Sequence, residues 1–206
     1  MAGDRAQGTR AARLAGAAAP ERGAARLRAI LASPPETAAR SLVGTLLVRR
    51  RRGREIVVRI VETEAYLGEG DPAAHAHRGR TPRNAPLFGP PGTLYVYLIY
   101  GMHHCLNFSV DADGVAGCVL IRAAEPLPGS GLETRACSGP GRLCRTLGLD
   151  TRWSGRHLFE PETGLTLRPG RAPRRVAVSR RIGIRLAARR PLRFYDPDSP
   201  AVSATR

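Results

Sequence analysis

Two glutamates, Glu62 and Glu64, flank Thr63 in the segment Val61-Glu62-Thr63-Glu64-Ala65-Tyr66. Carboxylates set among apolar neighbours are either the solvated face of a strand or partly buried groups that need a partner or a task. A buried one is a candidate general base. Downstream come Ala74-His75 and the run from Gly92 to Gly101, which carries Tyr95, Tyr97 and Tyr100; Asn107 follows, and then Arg122 at the end of an apolar stretch. Tyrosines at strand spacing fill cores and interfaces, and they also form platforms on which planar rings stack. Carboxylate, arginine and aromatic platform together suit the handling of a planar ring beside a hydrolysable bond.

The elements that must position these groups can be read from the pattern. Ile56 to Ala65 is rich in Val and Ile and predicts a buried strand, whose period of two puts Ile60, Glu62, Glu64 and Tyr66 on one face. Gly68 to Pro91 is too rich in Gly, Pro, Asp and Arg for regular structure and predicts a long ordered loop, the usual material of a binding wall. Leu94 to Ile99 and His104 to Val110 predict a β-hairpin turning near Tyr100-Gly101-Met102-His103. A two-residue loop pairs Tyr97 with Leu106. A three-residue loop pairs Tyr97 with Asn107 and Tyr95 with Ser109, and is preferred because it gathers Leu98, Leu106 and Phe108 on the core face.

Around this centre, Ala25 to Leu31 predicts a short helix, and Ser33-Pro34-Pro35-Glu36-Thr37 starts a second, with Leu42, Leu46 and Leu47 as its apolar stripe. Gly117 to Ala123 predicts a strand, Leu143 to Leu149 a helix, and Val176 to Ile184 and Leu192 to Tyr195 two more strands. No internal repeat is visible, so the 206 residues form one domain with a basic, disordered tail over residues 1–24.

A net charge of +16 and a pI of about 11.4 point to a polyanionic partner. No apolar run is long enough to span a membrane, so no membrane partner is expected. All 33 cationic side chains are arginine. Without lysine, no lysine Schiff base can form. The four cysteines, at 105, 118, 137 and 144, form no Cys-x-x-Cys pair and predict reduced thiols in the cytoplasm, nucleoid-associated if the source is bacterial. Arg49 to Arg54 predicts a solvated turn, with phosphate contact as the alternative. His75-Ala76-His77 and His103-His104-Cys105 match no metal-site pattern, so neither metal nor other cofactor is expected. Ser138-Gly139-Pro140-Gly141 lacks the Gly-Lys-Ser/Thr ending of a phosphate loop and predicts a helix-opening turn, whose N–H groups can also hold a DNA phosphate.

Taken together, the ordered set from Val61 to Tyr66, Ala74-His75, Arg80-Thr81-Pro82-Arg83-Asn84, Gly92 to Met102, Cys105-Leu106-Asn107, Leu120 to Ala123, Cys137 to Pro140 and Arg190 to Tyr195 resembles the alkyladenine (3-methyladenine) DNA glycosylase family. The likeness extends from about Ala25 to Ser203. It implies an α+β single domain around a curved antiparallel sheet, with a protruding β-hairpin and peripheral helices, monomeric and without cofactor. The implied activity is base-excision repair: flipping alkylated or deaminated purines out of double-stranded DNA and hydrolysing the N-glycosidic bond.

Carried over by position, the resemblance makes Glu64 the general base and Arg122 its partner in holding the attacking water. It makes Tyr66, His75 and Tyr97 the walls around the flipped base, Asn107 the side chain that excludes the guanine amino group, and Tyr100 the wedge that fills the vacated stack. Met102, Arg83, Ser138 and Gly139 are the implied DNA contacts, and the Ile182 carbonyl a further ligand of the water. Three departures affect accessory DNA contacts: a short Pro126 to Cys137 linker, His103 where an aromatic is common, and Ala201 where tryptophan is frequent. A non-catalytic damaged-nucleic-acid-binding protein is the competing reading, and a metal-dependent hydrolase a third. Release of free base distinguishes the first from the second, and metal analysis addresses the third.

Overall fold

The computed structural model describes residues 21–204. Its first element is helix α1, described over residues 21–31, so residues 21–24 are helical where the helix was expected from Ala25; the rest of the expected tail lies outside the described residues. Helix α2 follows at Pro35–Leu42, with proline in its first turn as expected. It stops short of Leu46 and Leu47, which the sequence had suggested for its apolar stripe. Gly44 takes φ +98° after the extended Val43 and turns the chain into strand β1, Leu46–Arg51. Arg52 and Gly53, both at positive φ, make the two-residue turn to β2, Arg54–Tyr66.

The remaining strands are β3 (Leu94–Ile99), β4 (His103–Val110), β5 (Gly117–Pro126), β6 (Leu165–Arg168), β7 (Ala177–Ser179) and β8 (Arg193–Tyr195), with helix α3 at Pro140–Leu147 between β5 and β6. All pairings are antiparallel, in the order β3-β4-β5-β2-β1-β6, with β8 pairing to β2 and β7 to β8. This is one α+β domain around a curled antiparallel sheet. Helix α3 starts three residues before the expected Leu143, because Gly139 at φ +119° and Pro140 provide the turn and first helical position. The strand expected over Val176 to Ile184 ends at Ser179, and the chain beyond it is irregular up to β8.

Strand β2 is the spine. Its first half pairs with β1 and its second with β8, while β5 lies along its other edge. Where β2 changes neighbour, its ladder with β5 is irregular between Ile60 and Thr63, and the alternation of side chains changes phase on both strands. Val58, Ile60 and Ala124 face the main core on one side of the break; Ala65, Val119 and Ile121 do so on the other. Thr63 joins that face, its hydroxyl donating to the Ala39 carbonyl of α2 at 2.8 Å. The expectation that Ile60 shares a face with Glu62, Glu64 and Tyr66 is therefore corrected. Ile60 is in the core, and the glutamates are aimed to the opposite side, as irregularities beside active sites often do.

The hairpin β3–β4 also departs from its expected register. The three-residue loop Tyr100-Gly101-Met102 closes from Ile99 to His103, which pairs Tyr95 with Asn107 and Tyr97 with Cys105, neither of the two registers read from the sequence. β4 begins one residue earlier than expected. A shift of two preserves the faces, so Leu94, Val96, Leu106 and Phe108 do line the core. Leu98 does not: it is 41% exposed, beyond the edge of the core on the projecting hairpin.

Candidate active site

At the phase break, Glu62 and Glu64 are wholly buried. Glu62 Oε1 accepts from Arg122 Nε at 3.0 Å, Arg193 Nε at 2.6 Å and Ser203 Oγ at 2.9 Å, and its Oε2 accepts from Ser203 N at 2.7 Å. Glu64 Oε1 accepts from Ile182 N at 2.7 Å and Oε2 from the Tyr66 hydroxyl at 2.9 Å, with Arg122 Nη1 at 3.4 Å from Oε1. Burial raises the Glu64 carboxyl above the ordinary glutamate range, against the opposing pull of Arg122, the Ile182 N–H and the Tyr66 hydroxyl. Burial works against the Arg122 charge, but Glu64 and Glu62 outweigh it and keep the guanidinium firmly protonated. A carboxylate so placed is a stronger proton acceptor than one in water.

Beside this cluster lies a cavity of about 310 Å³, lined by Tyr66, His75, Arg83, Tyr95, Tyr97 and Asn107 among others. Tyr95 and Tyr97, neighbours on one face of β3, have ring centroids 5.4 Å apart at an interplanar angle of 30°. His75 comes from the 68–91 loop, which is irregular as expected apart from two short 3₁₀ turns at Gly68–Gly70 and Ala85–Phe88. Its ring meets Tyr97 edge-on at 4.5 Å, and its Nδ1 lies 2.9 Å from the Tyr95 hydroxyl. Burial, with the Arg83 charge, lowers the His75 pKa, so the ring is neutral at neutral pH. Asn107 is anchored by Nδ2 donating to the Tyr95 carbonyl at 3.1 Å. The sequence-derived set Tyr66, His75, Tyr97 and Asn107 is thus brought together on one cavity.

An adjoining groove of about 800 Å³ shares Tyr66, Tyr97, Ile99 and Tyr100 with that cavity and runs on past Arg122, Ser138 and Gly139 to Arg142 and Arg145. Tyr100 and Met102 stand at its lip, 79% and 70% exposed. Tyr100 has φ +54°, a left-handed conformation that a non-glycine residue seldom adopts. Arg83 opens on the smaller cavity, apart from Ser138 and Gly139. The Ser138 hydroxyl also contacts the Val202 carbonyl at 3.3 Å, so this turn braces the last described segment. Among the described residues no group of three or more His, Cys, Asp or Glu is placed to hold a metal, and no helix is long and apolar enough to cross a membrane.

Four participants escaped the sequence reading: Arg193 and Ser203, which hold Glu62, and the buried pair Asp71–Arg181. Arg193 carried a usable signal, a charged residue between Leu192 and Phe194 in an apolar strand. Arg181 carried none, since it follows Arg180 in a stretch crowded with arginine. Ile182, which the resemblance singled out for its carbonyl, reaches Glu64 through its N–H.

A buried, arginine-clamped carboxylate beside an aromatic cavity, on a curled antiparallel sheet in a strongly basic chain, has the features of a hydrolase directed at nucleic acid. Residues 29–200 match the family model described as Methylpurine-DNA glycosylase. A Myxococcus xanthus homologue named 3-methyladenine DNA glycosylase is 50% identical over 177 residues, which cover 84% of this chain and 90% of the homologue. The human protein named DNA-3-methyladenine glycosylase is 44% identical over 197 residues, covering 82% of this chain and 65% of the human protein. A mouse counterpart of the same name is 45% identical over 199 residues, covering 82% of this chain and 58% of its own length. The chain belongs to the methylpurine-DNA glycosylase family. It is a DNA-repair enzyme that hydrolyses an N-glycosidic bond.

Proposed function

We propose that this glycosylase extrudes alkylated or deaminated purines from duplex DNA, seats them against Tyr66, His75 and Tyr97, and cleaves the N-glycosidic bond with water activated by Glu64. The single observation carrying this reading is the junction at Tyr66. Its ring borders the aromatic cavity while its hydroxyl donates to the Glu64 carboxylate. A base seated in that cavity presents its sugar towards the Arg122 side, where the groove continues. Glycosidic cleavage develops oxocarbenium character, so a carboxylate with raised proton affinity serves both as base for the water and as electrostatic partner of the sugar. Neutral His75 keeps a ring N–H for an acceptor on the base, and Asn107, which lines the same cavity, takes the role of excluding the guanine amino group.

Extrusion costs a few kilocalories per mole, offset by stacking and by a side chain that fills the gap. Tyr100, exposed and held in a left-handed turn at the hairpin tip, suits that role; backbone strain of this kind is common where function demands a fixed presentation. Met102 and the Ser138-Gly139 turn then track the flanking strand along the groove, and Arg83 meets the DNA beside the base cavity. One domain contains every element of the site, which supports action as a monomer. All four cysteines are free and buried, in keeping with a reducing cytoplasm.

With no lysine in the chain, hydrolysis leaves the abasic strand intact. The test is release of free base from duplexes carrying 3-methyladenine, 7-methylguanine, hypoxanthine or an etheno adduct, with borohydride present in a parallel reaction. Free base without strand scission or covalent adduct is expected. Tight lesion binding with no base released would overturn the catalytic role of Glu64, and an adduct in good yield would overturn the water mechanism.

A further inference from the structure

Arg181 and Asp71 are both buried and form a two-pronged ion pair, with Arg181 Nη2 donating to Asp71 Oδ1 at 2.8 Å and Nη1 to Oδ2. Arg181 Nη1 also donates to the Ala65 carbonyl at 3.0 Å, and the guanidinium carbon lies 4.5 Å from the centre of the Tyr66 ring. Asp71 in turn accepts from the Leu67 and Ala73 N–H groups at 3.3 and 3.2 Å, fixing the start of the loop that carries His75. Among the described residues Arg181 Nε has no partner. An enclosed ion pair with an unmet donor is weak evidence of a stabilising role, since apolar residues of similar volume often do as well.

Its connections suggest another use. Two of the three groups that hold Glu64 adjoin this guanidinium: Ile182, the next residue in the chain, and Tyr66, over whose ring it lies. We infer that Arg181, locked by Asp71, is a positioning residue for the reaction, setting the geometry of the Glu64 donors and tying them to the loop that bears the base-pocket histidine. The inference rests on Glu64 being the base. Glu64 is also faced by Glu62 and Tyr66 on its own strand, Arg122 on β5 and, more distantly, Cys105 on β4; Arg181 is faced by Asp71, Tyr66, Glu64 and Cys118. None of the other groups offers the planar support that Arg181 gives the Tyr66 ring.

Loosening the two donors removes contacts that favour the charged carboxylate, so the proton on Glu64 is held more tightly and the acid limb of the rate moves to higher pH. Arg181→Lys tests this: it keeps a charge opposite Asp71 but has no flat face for Tyr66, and its three N–H donors radiate from a single nitrogen and cannot reproduce the fork that spans both Asp71 oxygens and the Ala65 carbonyl. Single-turnover base release would be followed across pH, beside lesion affinity measured with a 2′-fluorinated duplex that resists hydrolysis. The expected result is an acid limb displaced upward by about one pH unit, equivalent to about a tenfold slower rate at fixed pH on that limb, with affinity within about threefold of the parent. The double variant Arg181→Met with Asp71→Asn leaves no unpaired charge and should move the limb the same way and further. A limb that stays in place while the rate is merely scaled at every pH would overturn the inference and assign the pair to folding alone. Glu64→Gln, assayed in parallel, separates the two ideas: retained base release there sinks the role of Glu64, whereas lost release with an unmoved limb in Arg181→Lys sinks only the role of Arg181.

Discussion

Glu62 and Glu64 lie two residues apart on β2, equally buried, and share Arg122, yet their surroundings differ in kind. The partners of Glu62 tie together β5, β8 and the last described segment. Those of Glu64 are Tyr66, Ile182 and Arg122, all of which line the groove. A buried carboxylate whose donors belong to the frame is a rivet. One whose donors belong to a cavity wall can exchange them for a reacting molecule, and burial has already raised its affinity for a proton. Residue type and burial alone do not separate the two; ownership of the donors does.

The sharpest way to break this comparison is to make the same change at both places. Glu64→Gln should lower single-turnover base release by about 10²–10⁴-fold while lesion binding persists, because shape is kept and the base is lost; near-parental release would end the distinction. Arg122→Lys touches both carboxylates and should lose rate and stability together, with about 10-fold or greater slowing, since an ammonium cannot reproduce the fork that reaches Glu62 and Glu64. A purely kinetic loss would mean that Glu62 does not need this arginine. Glu62→Gln should act mainly on the fold, destabilising by about 2–4 kcal/mol and lowering the melting temperature by about 5–15 °C, with a smaller effect on release per folded molecule. A rate loss matching that of Glu64→Gln, at an unchanged melting temperature, would reverse the roles.

The smallest effect is in the pH dependence of stability. A raised folded-state pKa means that the contribution of protonated Glu64 is fully present below the unfolded value, about 4.5, and is lost as pH rises through the higher folded value. Glutamine has no such titration. The melting temperature of Glu64→Gln relative to the parent should therefore climb as pH increases from about 4.5 towards neutrality. A difference that stays flat or falls would show that Arg122, Ile182 and Tyr66 outweigh burial.

Much of the site was legible because its chemistry sits on strands with strong apolar patterning. Glu62 and Glu64 could be put on one face by alternation, as could Tyr97 and Asn107 despite the shifted register, and the tip position of Tyr100 by the hairpin, whereas the role of Arg122 came from the resemblance alone. What failed has local physical causes. Leu46 and Leu47 were read as helix because their spacing continues from Leu42, and the extended Val43 and positive φ at Gly44 that follow the helix have no signature beyond the glycine itself. The hairpin register depended on where β4 starts, and His103 is not a residue that announces a strand. Arg181 and Asp71 meet 110 positions apart in sequence, a contact that no local pattern encodes.

The phase break beside Ile60 also bears on how the chain can change length. The ladder between β2 and β5 keeps the same register on either side: Ile60 faces Ala124 and Thr63 faces Ile121, three steps along each strand. The two strands take the irregularity in equal measure, so it rotates the side chains without sliding the backbones. Dropping one residue from β2 alone, between those two pairs, would leave β5 one residue longer over this stretch, so that the ladder beyond the cut must either slip by one or carry a one-sided bulge on β5. Only a matching loss from β5 would restore the count. Substitutions here can be tried singly, whereas deletions keep the ladder even only as a pair on two distant stretches of the chain. The spacing of Glu62 and Glu64 from Ile60 is thus held by arithmetic shared between strands, independently of what any one side chain contributes.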